Sequence, residues 1–297
     1  MPGQLKEVRN RISSVRSTQQ ITKAMKMVSA AKFRRAQDAI LQMRPYAEKL
    51  QEMLQNIVSN SDGDVDLRLA QERPVEKVLL IVVTSDRGLC GGYNANLIKL
   101  AKQTIRERYA AQFEKGNVTL MPVGKRGADH FAKNGFKLDT RFRDLLIDLS
   151  FERVQQAAAA AMEGFIAQQY DVVEIIYSRF VNAAVQHYEV ERFLPIPRIQ
   201  PEPEAGKKAL KAAFIFEPDE ASLIRELMPR ILNTQLFKAT LDAWASENGA
   251  RMTAMDKASE NADELLRSLR ISYNRARQAA ITTELTEIVS GAAALAG

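Results

Sequence analysis

The chain has 297 residues, 46% of them hydrophobic, and its 42 basic and 36 acidic side chains give a formal net charge of +6. This length and apolar content suffice for one or two folded domains and argue against bulk disorder. A single cysteine, Cys90, excludes an internal disulfide, and one cysteine with two histidines excludes a zinc site of several Cys and His ligands. No apolar run is long enough to cross a bilayer and no signal-type segment opens the chain, so we expect a soluble intracellular protein.

A seven-residue repeat of apolar side chains organises the first segment, from about residue 5 to residue 59. Twelve of the sixteen positions in its two seams are apolar over eight heptads, which is typical of a coiled coil. Pro45 is expected to kink this helix without ending it. Four consecutive seam positions are polar, namely Gln19, Thr22, Lys26 and Ser29. Apolar residues lie to one side of them, which indicates either a local adjustment of the supercoil or a face that meets a partner other than the second helix.

Positive charge is concentrated at the N-terminal end. Residues 1–44 contain ten Lys and Arg against Glu7 and Asp38, a net charge of +8 that exceeds the total for the chain. Such a helix favours an acidic neighbour, whether protein, nucleic acid or lipid. Because the basic side chains go round the helix and Phe33 is the one aromatic residue before Tyr46, nucleic acid is the weaker interpretation.

The last segment, from about Pro229 to the end, predicts a second long helix that pairs with the first. Its apolar residues keep the same three-and-four spacing, and no charged residue follows Glu287. Helices of these lengths measure about 80 Å and about 100 Å, whereas a compact globule of this chain has a radius of gyration of about 19 Å. We therefore expect an antiparallel coiled coil that projects as a shaft, with about ten residues of the longer helix, beyond about Thr282, overhanging as an apolar tip.

The middle segment, about residues 73–217, has the pattern of an α/β domain inserted between the two helices. Apolar runs rich in β-branched residues predict strands at 78–83, 118–123 and 172–180, and an alternating run predicts a strand at 185–194. Helices are predicted at 94–109, 125–134 and 151–169. Residues 200–211 are typical of a linker. The predicted division is residues 1–59 for the first shaft helix, 73–217 for a Rossmann-like domain and 219–297 for the second shaft helix with its tip.

Candidate chemistry in the middle segment is weak. The stretch from Asp86 to Asn94 follows a strand and precedes a helix, where nucleotide folds place phosphate loops, but its glycines match neither GxGxxG nor GK[ST]. A tight turn explains these glycines better. Cys90 has no histidine nearby in sequence to act as a base, and the acidic pairs Glu217/Asp219 and Asp263/Glu264 are interpreted as a helix start and a solvated face. We expect no catalytic residue, no cofactor and no metal in this chain.

Three stretches of the sequence resemble the γ subunit of F-type ATP synthase, bacterial type. They are residues 12–28 with Arg44-Pro45-Tyr46, residues 85–92 (SDRGLCGG), and the C-terminal run of residues 246–255, 273–282 and 284–292. The resemblance covers both ends and the middle of the chain in the right order. It implies a non-catalytic rotor that transmits torque between a proton-driven c ring and a catalytic ring of three α and three β subunits. It also implies that the globular domain binds the ε subunit and the c ring at the cytoplasmic face of the bacterial inner membrane.

The resemblance assigns partner contacts to several residues. It implies that Met25, Lys26 and Met27 meet an acidic lever segment of β. It further implies that Arg251, Arg277, Gln278 and Thr282 contact β, that the tip from Ile288 to Leu295 lies in an apolar sleeve, and that Glu217 and Asp219 lie near the c ring. Because there is one cysteine, the regulatory dithiol of chloroplast members is excluded. The alternatives left open are a coiled-coil scaffold or basic-helix interaction protein and an α/β nucleotide enzyme.

Overall fold

The computed structural model describes residues 2–60, 68–182, 185–196 and 220–296. The helices and strands are, in chain order, α1 Pro2–Asn60, β1 Val78–Val83, α2 Tyr93–Arg108, α3 Ala110–Glu114, β2 Val118–Val123, α4 Lys125–Lys133, α5 Phe151–Ile166, β3 Val172–Phe180, β4 Gln186–Leu194 and α6 Glu220–Ala296. Short 3-10 turns cover Arg68–Ala70 and Leu145–Asp148. The predicted linker at 200–211 lies outside the described residues.

Two compact units make up the chain. The terminal unit comprises Met1–Ala30 and Arg251–Gly297, and the central unit comprises Ala31–Ala250. Long helices α1 and α6 each contribute to both units. No helix in the described ranges is long and apolar enough to cross a membrane.

The central unit contains a mixed four-stranded sheet in the order β2-β1-β3-β4. Strand β1 pairs in parallel with β2 and β3, and β4 pairs antiparallel with β3. Every side chain of β1 and β2 is buried, which explains why β1 is a continuous apolar run and β2 is apolar apart from Thr119. The sequence predicted β1, β2 and β3 at these bounds, and β4 begins one residue later than predicted.

Helices cover both faces of this sheet. On one face, Leu79 and Ile81 of β1 pack with Ala157 and Ala161 of α5 and with Leu236 of α6. On the other face, alternate residues of β1 pack with α2 and α4; this cluster includes Leu80, Val82, Leu97, Ile105 and Phe131. Small alanines in α5 let that helix lie close to the strands. The result is the α/β layer arrangement expected from the sequence.

Helices α1 and α6 pair antiparallel in the terminal unit, as predicted. Four cross-helix contacts define the register: Arg9 with Tyr273, Gln19 with Asp263, Thr22 with Ser259, and Lys26 with Asp256. Each advance along α1 is matched, to within one residue, by a step back along α6. All fourteen predicted seam positions from Leu5 to Leu50 are buried or half-buried, which confirms the heptad pattern over that range.

Helix α6 begins at Glu220, one residue after the predicted start of the second shaft helix at 219, and it continues through Pro229. A proline inside a helix removes one backbone hydrogen bond. Here the residues around it, including Leu227, Met228, Ile231 and Leu232, are buried in the central core, and this packing offsets the loss. Helix α1 likewise continues through Pro45, which is exposed. The five-residue helix α3 was not predicted, because a segment so short carries little periodicity.

The overhang at the end of α6 is longer than predicted. Continuing the cross-helix pairing places Pro2 opposite residue 280, so residues 281–296 extend past the first turn of α1. At 1.5 Å per residue this overhang measures about 24 Å. Its apolar side chains are exposed: Leu285, Ile288, Val289 and Leu295 show between 57% and 92% of their surface.

Candidate partner-contact surfaces

Polar side chains join the two helices where the heptad seam loses its apolar residues. The hydroxyls of Thr22 and Ser259 are 2.7 Å apart and buried, and the side-chain amide of Gln19 donates to Asp263. The Nζ of Lys26 lies 2.5 Å from Oδ1 of Asp256. These contacts satisfy three of the four polar seam positions within the chain, and the fourth, Ser29, is buried, so the seam is a polar layer between the paired helices.

Large apolar side chains lie outside this polar layer. Ile21, Met27 and Val28 of α1 are exposed by 59%, 67% and 58%. Met25 is half-buried beside them. A helix that turns polar residues inward and presents a cluster of large apolar residues to water has an unpartnered apolar face. Of the two interpretations of this stretch, the arrangement therefore favours a face that meets another molecule. We call Ile21, Met25, Met27 and Val28 the α1 band.

The residues to which the resemblance assigned contacts fall into three zones. Met25, Lys26, Met27 and Arg251 lie in the first, where the polar layer is, with Arg251 buried and Lys26 half-buried. Arg277, Gln278 and Thr282 are exposed residues of α6 that lie 21 to 26 residues beyond Asp256, or about 32 to 39 Å along the helix. Ile288 and Leu295 lie on the overhang. Glu217 and Asp219 lie outside the described residues, so their assignment remains a prediction.

Two acidic partners inside the chain were missed from the sequence. Asp256 pairs with Lys26, and Asp263 pairs with Lys23 at 3.8 Å as well as binding Gln19. The interpretation of Asp263 as part of a solvated face was therefore incomplete: the carboxylate is half-exposed but bridges the two helices. An antiparallel register worked out from the heptads would have placed both carboxylates opposite these basic residues.

The glycine-rich turn after β1 is held by its own side chains. The Oδ1 atom of Asn94 accepts from the backbone N–H of Ser85 at 3.0 Å, and Asp86 accepts from the backbone N–H of Lys125 at 3.1 Å. Ser85 donates to the carbonyl of Arg87 at 2.7 Å. Cys90 is buried in this turn and accepts from Asn94 at 3.2 Å. Such a turn is built for packing, as the glycine spacing indicated, and its polar groups are directed at one another.

Helix α6 lies where a nucleotide would bind in a Rossmann-type fold. Such folds bind ligands at the carboxyl ends of the strands where the strand order reverses, which in this sheet is between β1 and β3. There, Ser246 of α6 donates to the carbonyl of Ser178 at 3.1 Å, and Tyr93 at the start of α2 donates to the carbonyl of Ala243 at 3.0 Å. Burial, with a smaller contribution from Glu247, raises the pKa of Tyr93 well above its ordinary value. The chain's own helix therefore fills the crevice.

Among the described residues, no group of His, Cys, Asp and Glu is arranged to hold a metal ion. The exposed apolar surfaces described above lie on the two paired helices, and the crevice of the central α/β domain is filled by the chain's own helix. Together these features define a class of protein: a helical shaft subunit with an inserted α/β domain, which acts through contacts with other chains.

Comparisons with known proteins agree with this class. A family model described as ATP synthase matches residues 4–295. The ATP synthase gamma chain of Cytophaga hutchinsonii is 48% identical over 295 residues, covering 99% of both chains. That of Chlorobaculum tepidum is 48% identical over 292 residues, covering 98% of both. A chain of the Euglena gracilis mitochondrial ATP synthase shares the fold, with a TM-score of 0.68 and 21% identity over 99% of this chain and 95% of that one.

The chain belongs to the ATP synthase gamma chain family, the non-catalytic central-stalk rotor subunits of that proton-transporting complex.

Proposed function

We propose that the paired helices α1 and α6 turn inside a ring of three α and three β subunits, and that the central unit binds the ε subunit and the c ring. Proton flow then turns the c ring and this chain together, and the turning shaft drives each β site through its binding states. The catalytic residues and nucleotides belong to the ring. In this proposal the protein is peripheral at the cytoplasmic face of a bacterial inner membrane, held there through the c ring.

The observation that carries this proposal is the exposure of the apolar α1 band on the outside of the polar layer. Apolar side chains such as Met27 and Val28 form no directional bond, so they can slide against a partner at many angles. The basic residues around them are partly exposed, and exposed ion pairs contribute only about 0–1 kcal/mol each. Contacts of this kind guide a rotating shaft without locking it at one position.

The overhang of α6 supports the same proposal. Residues from Ile288 to Leu295 carry no charge and are exposed in the chain by itself. These residues belong to the overhang, residues 281–296, and an isolated helix of about 16 residues is marginal in water. An apolar sleeve formed by the surrounding subunits would stabilise the tip and offer it no directional bond. In this proposal Arg277, Gln278 and Thr282, which are exposed residues just before the tip, contact β.

Lys26 provides the sharpest test because its in-chain partner is known. The variant K26E places a carboxylate beside Asp256 and beside the proposed acidic segment of β. The double variant K26E/D256K restores an ion pair between the helices but leaves position 26 acidic. We expect both variants to assemble, and both to pump fewer protons per ATP hydrolysed than the wild type in reconstituted vesicles.

The companion variant M25K adds a positive charge within the α1 band and is expected to lower the same coupling ratio. Recovery of the wild-type ratio in K26E/D256K would show that Lys26 acts only within the shaft. Wild-type ratios in both K26E and M25K would contradict the proposed contact with β.

A further inference from the structure

A cleft in the central unit has the features of a ligand site that the rotor function does not use. Its cavity volume is about 500 Å³, within the range of small-molecule sites in proteins. It lies between α1, α5 and α6, and its lining residues are Tyr46, Phe151, Gln155, Glu226, Pro229, Arg230, Asn233 and Thr234.

The side chain of Asn233 is the first observation that points to a ligand. This residue is 94% buried, being 6% exposed, and its Oδ1 atom has no hydrogen-bond donor among the described residues. A buried acceptor without a partner costs about 1–3 kcal/mol. This oxygen is closed to solvent as it stands, so a donor in the cavity would satisfy it once the Asn233 amide turns toward the cleft that it lines. The neighbouring Thr234 hydroxyl cannot do so, since it donates to the carbonyl of Arg230 at 2.8 Å.

The walls of the cleft indicate the charge of that donor. Two aromatic rings, Tyr46 and Phe151, line it and are 51% and 37% exposed. The Phe151 ring is held in place by an edge-to-face contact with Phe237, with 5.3 Å between ring centroids. Exposed aromatic faces attract cations. Glu226 adds a carboxylate at the cleft, so its anionic, aromatic and acceptor groups all favour a cationic donor.

We propose that this cleft binds a guanidinium group. A guanidinium ion is planar, carries several N–H donors and is weakly hydrated, so it can stack on an aromatic ring while donating to both an amide oxygen and a carboxylate. It would donate to Oδ1 of Asn233 and to Glu226 and would contact the ring of Tyr46 or Phe151. Exposed Arg230 lies at the same cleft and repels a cation. The proposal therefore predicts that removing the charge of Arg230 strengthens binding. The guanidinium group comes either from free arginine or from an arginine side chain of a partner protein.

The test is a ligand-observed NMR titration of the full chain with N-acetyl-arginine amide, and with N-acetyl-citrulline amide as its uncharged analogue. We expect the arginine derivative to bind and the citrulline derivative to bind at least tenfold more weakly. Equal binding of the two would overturn the proposal. Free L-arginine is the third probe: tighter binding than the amide indicates the free amino acid as the natural source, and weaker binding indicates an arginine in a chain.

Substitutions that change the charge around the cleft test the proposal by the direction in which each one changes the affinity. E226Q is expected to weaken binding of N-acetyl-arginine amide about fivefold, and R230Q to tighten it, as removal of one exposed charge changes the interaction by about 1 kcal/mol. N233D, which puts a charge at the buried acceptor, is expected to tighten binding further. The matched controls E114Q and R106Q change exposed residues away from the cleft and should have no effect. Weaker binding of N-acetyl-arginine amide in R230Q would show that Arg230 does not oppose the cation and would overturn the proposal. Because Glu226 and Arg230 are exposed, this outcome does not depend on the folding of N233D.

Discussion

At the scale of single residues, Asp171 joins the strands of the central unit to the segment that precedes them. Its Oδ2 atom accepts from the backbone N–H groups of Glu76 and Lys77 at 3.0 and 2.8 Å, and its Oδ1 lies 2.7 Å from Nε of Arg73. Burial pushes the pKa of Asp171 up, but the two N–H groups and the charge of Arg73 outweigh it, so this pKa lies below its ordinary value of 3.8.

The substitution D171N therefore tests a pH-dependent contribution to stability. A depressed pKa in the folded state stabilises the fold above the unfolded pKa, and this contribution is lost as the pH falls through the folded pKa. We expect D171N to lower the free energy of unfolding by about 2 kcal/mol at pH 7, with the deficit shrinking below about pH 4. Urea unfolding at several pH values measures it, and D129N, at an exposed residue, is the control. A deficit independent of pH would contradict this account.

Gly124, which lies between β2 and α4, occupies a position that only glycine fits without strain. Its φ angle is +103°, and an added Cβ would lie 2.5 Å from the carbonyl oxygen of Thr84. We expect G124A to destabilise the chain by more than about 2 kcal/mol, because backbone atoms must move. G291A is the control, since a Cβ there meets nothing within 4 Å in a helix, and it should cause no loss of stability. Thermal unfolding of both variants would decide, and equal effects would contradict the argument.

At the scale of secondary-structure elements, the polar layer between α1 and α6 is adaptable. Thr22 and Ser259 share a hydrogen bond, and each hydroxyl also lies within reach of a carbonyl of its own helix, at Gln19 and Met255 respectively. A hydroxyl left alone can donate to that carbonyl. The layer therefore sets the register of the helices without depending on one bond.

This adaptability predicts a non-additive pair of substitutions. T22V and S259A alone should each cost less than about 1 kcal/mol, because the remaining hydroxyl keeps an acceptor. The double variant T22V/S259A removes both polar groups and should be at least as stable as the wild type. A double-mutant cycle in urea measures this coupling. A double variant less stable than the sum of the two single effects would rule out the adaptable layer.

The elements with the strongest patterns were the ones predictable from sequence. A buried strand such as β1 is visible in the sequence as a run of β-branched residues, because every one of its side chains is buried. The α1 seam is visible as a heptad repeat, because each seam position from Leu5 to Leu50 is buried or half-buried. Features set by distant residues were not predictable in this way. The pairing of Lys26 with Asp256 depends on the register of two helices, and the continuation of α6 through Pro229 depends on the core packing around that residue.

The candidate surfaces were predictable in part. The α1 band was one of two interpretations of the sequence, and the exposure of Ile21 and Met27 favours one of them. The cleft at Asn233 left no signal in the sequence, because its lining comes from three separate helices. Such a site exists only once the chain has folded.

At the scale of the whole molecule, a substitution in the overhang of α6 allows an effect on assembly to be measured apart from an effect on folding. Ile288 is 62% exposed, so I288E should leave the thermal midpoint of the isolated chain unchanged. If the tip lies in an apolar sleeve, the same charge must be buried on assembly. We expect the variant to bind the α and β subunits at least tenfold more weakly, measured by reconstitution from purified subunits, while I288L binds normally. Normal binding of I288E would contradict the sleeve.

The central claim is that one copy of this chain forms the shaft of a rotary complex. The most direct measurement is the native mass of the complex that co-purifies with the tagged chain from its own membranes, together with its ATPase activity. The account predicts an ATPase-active assembly of one copy of the chain with three α, three β and one ε subunit. A lone chain, or a homodimer without these partners, would contradict it.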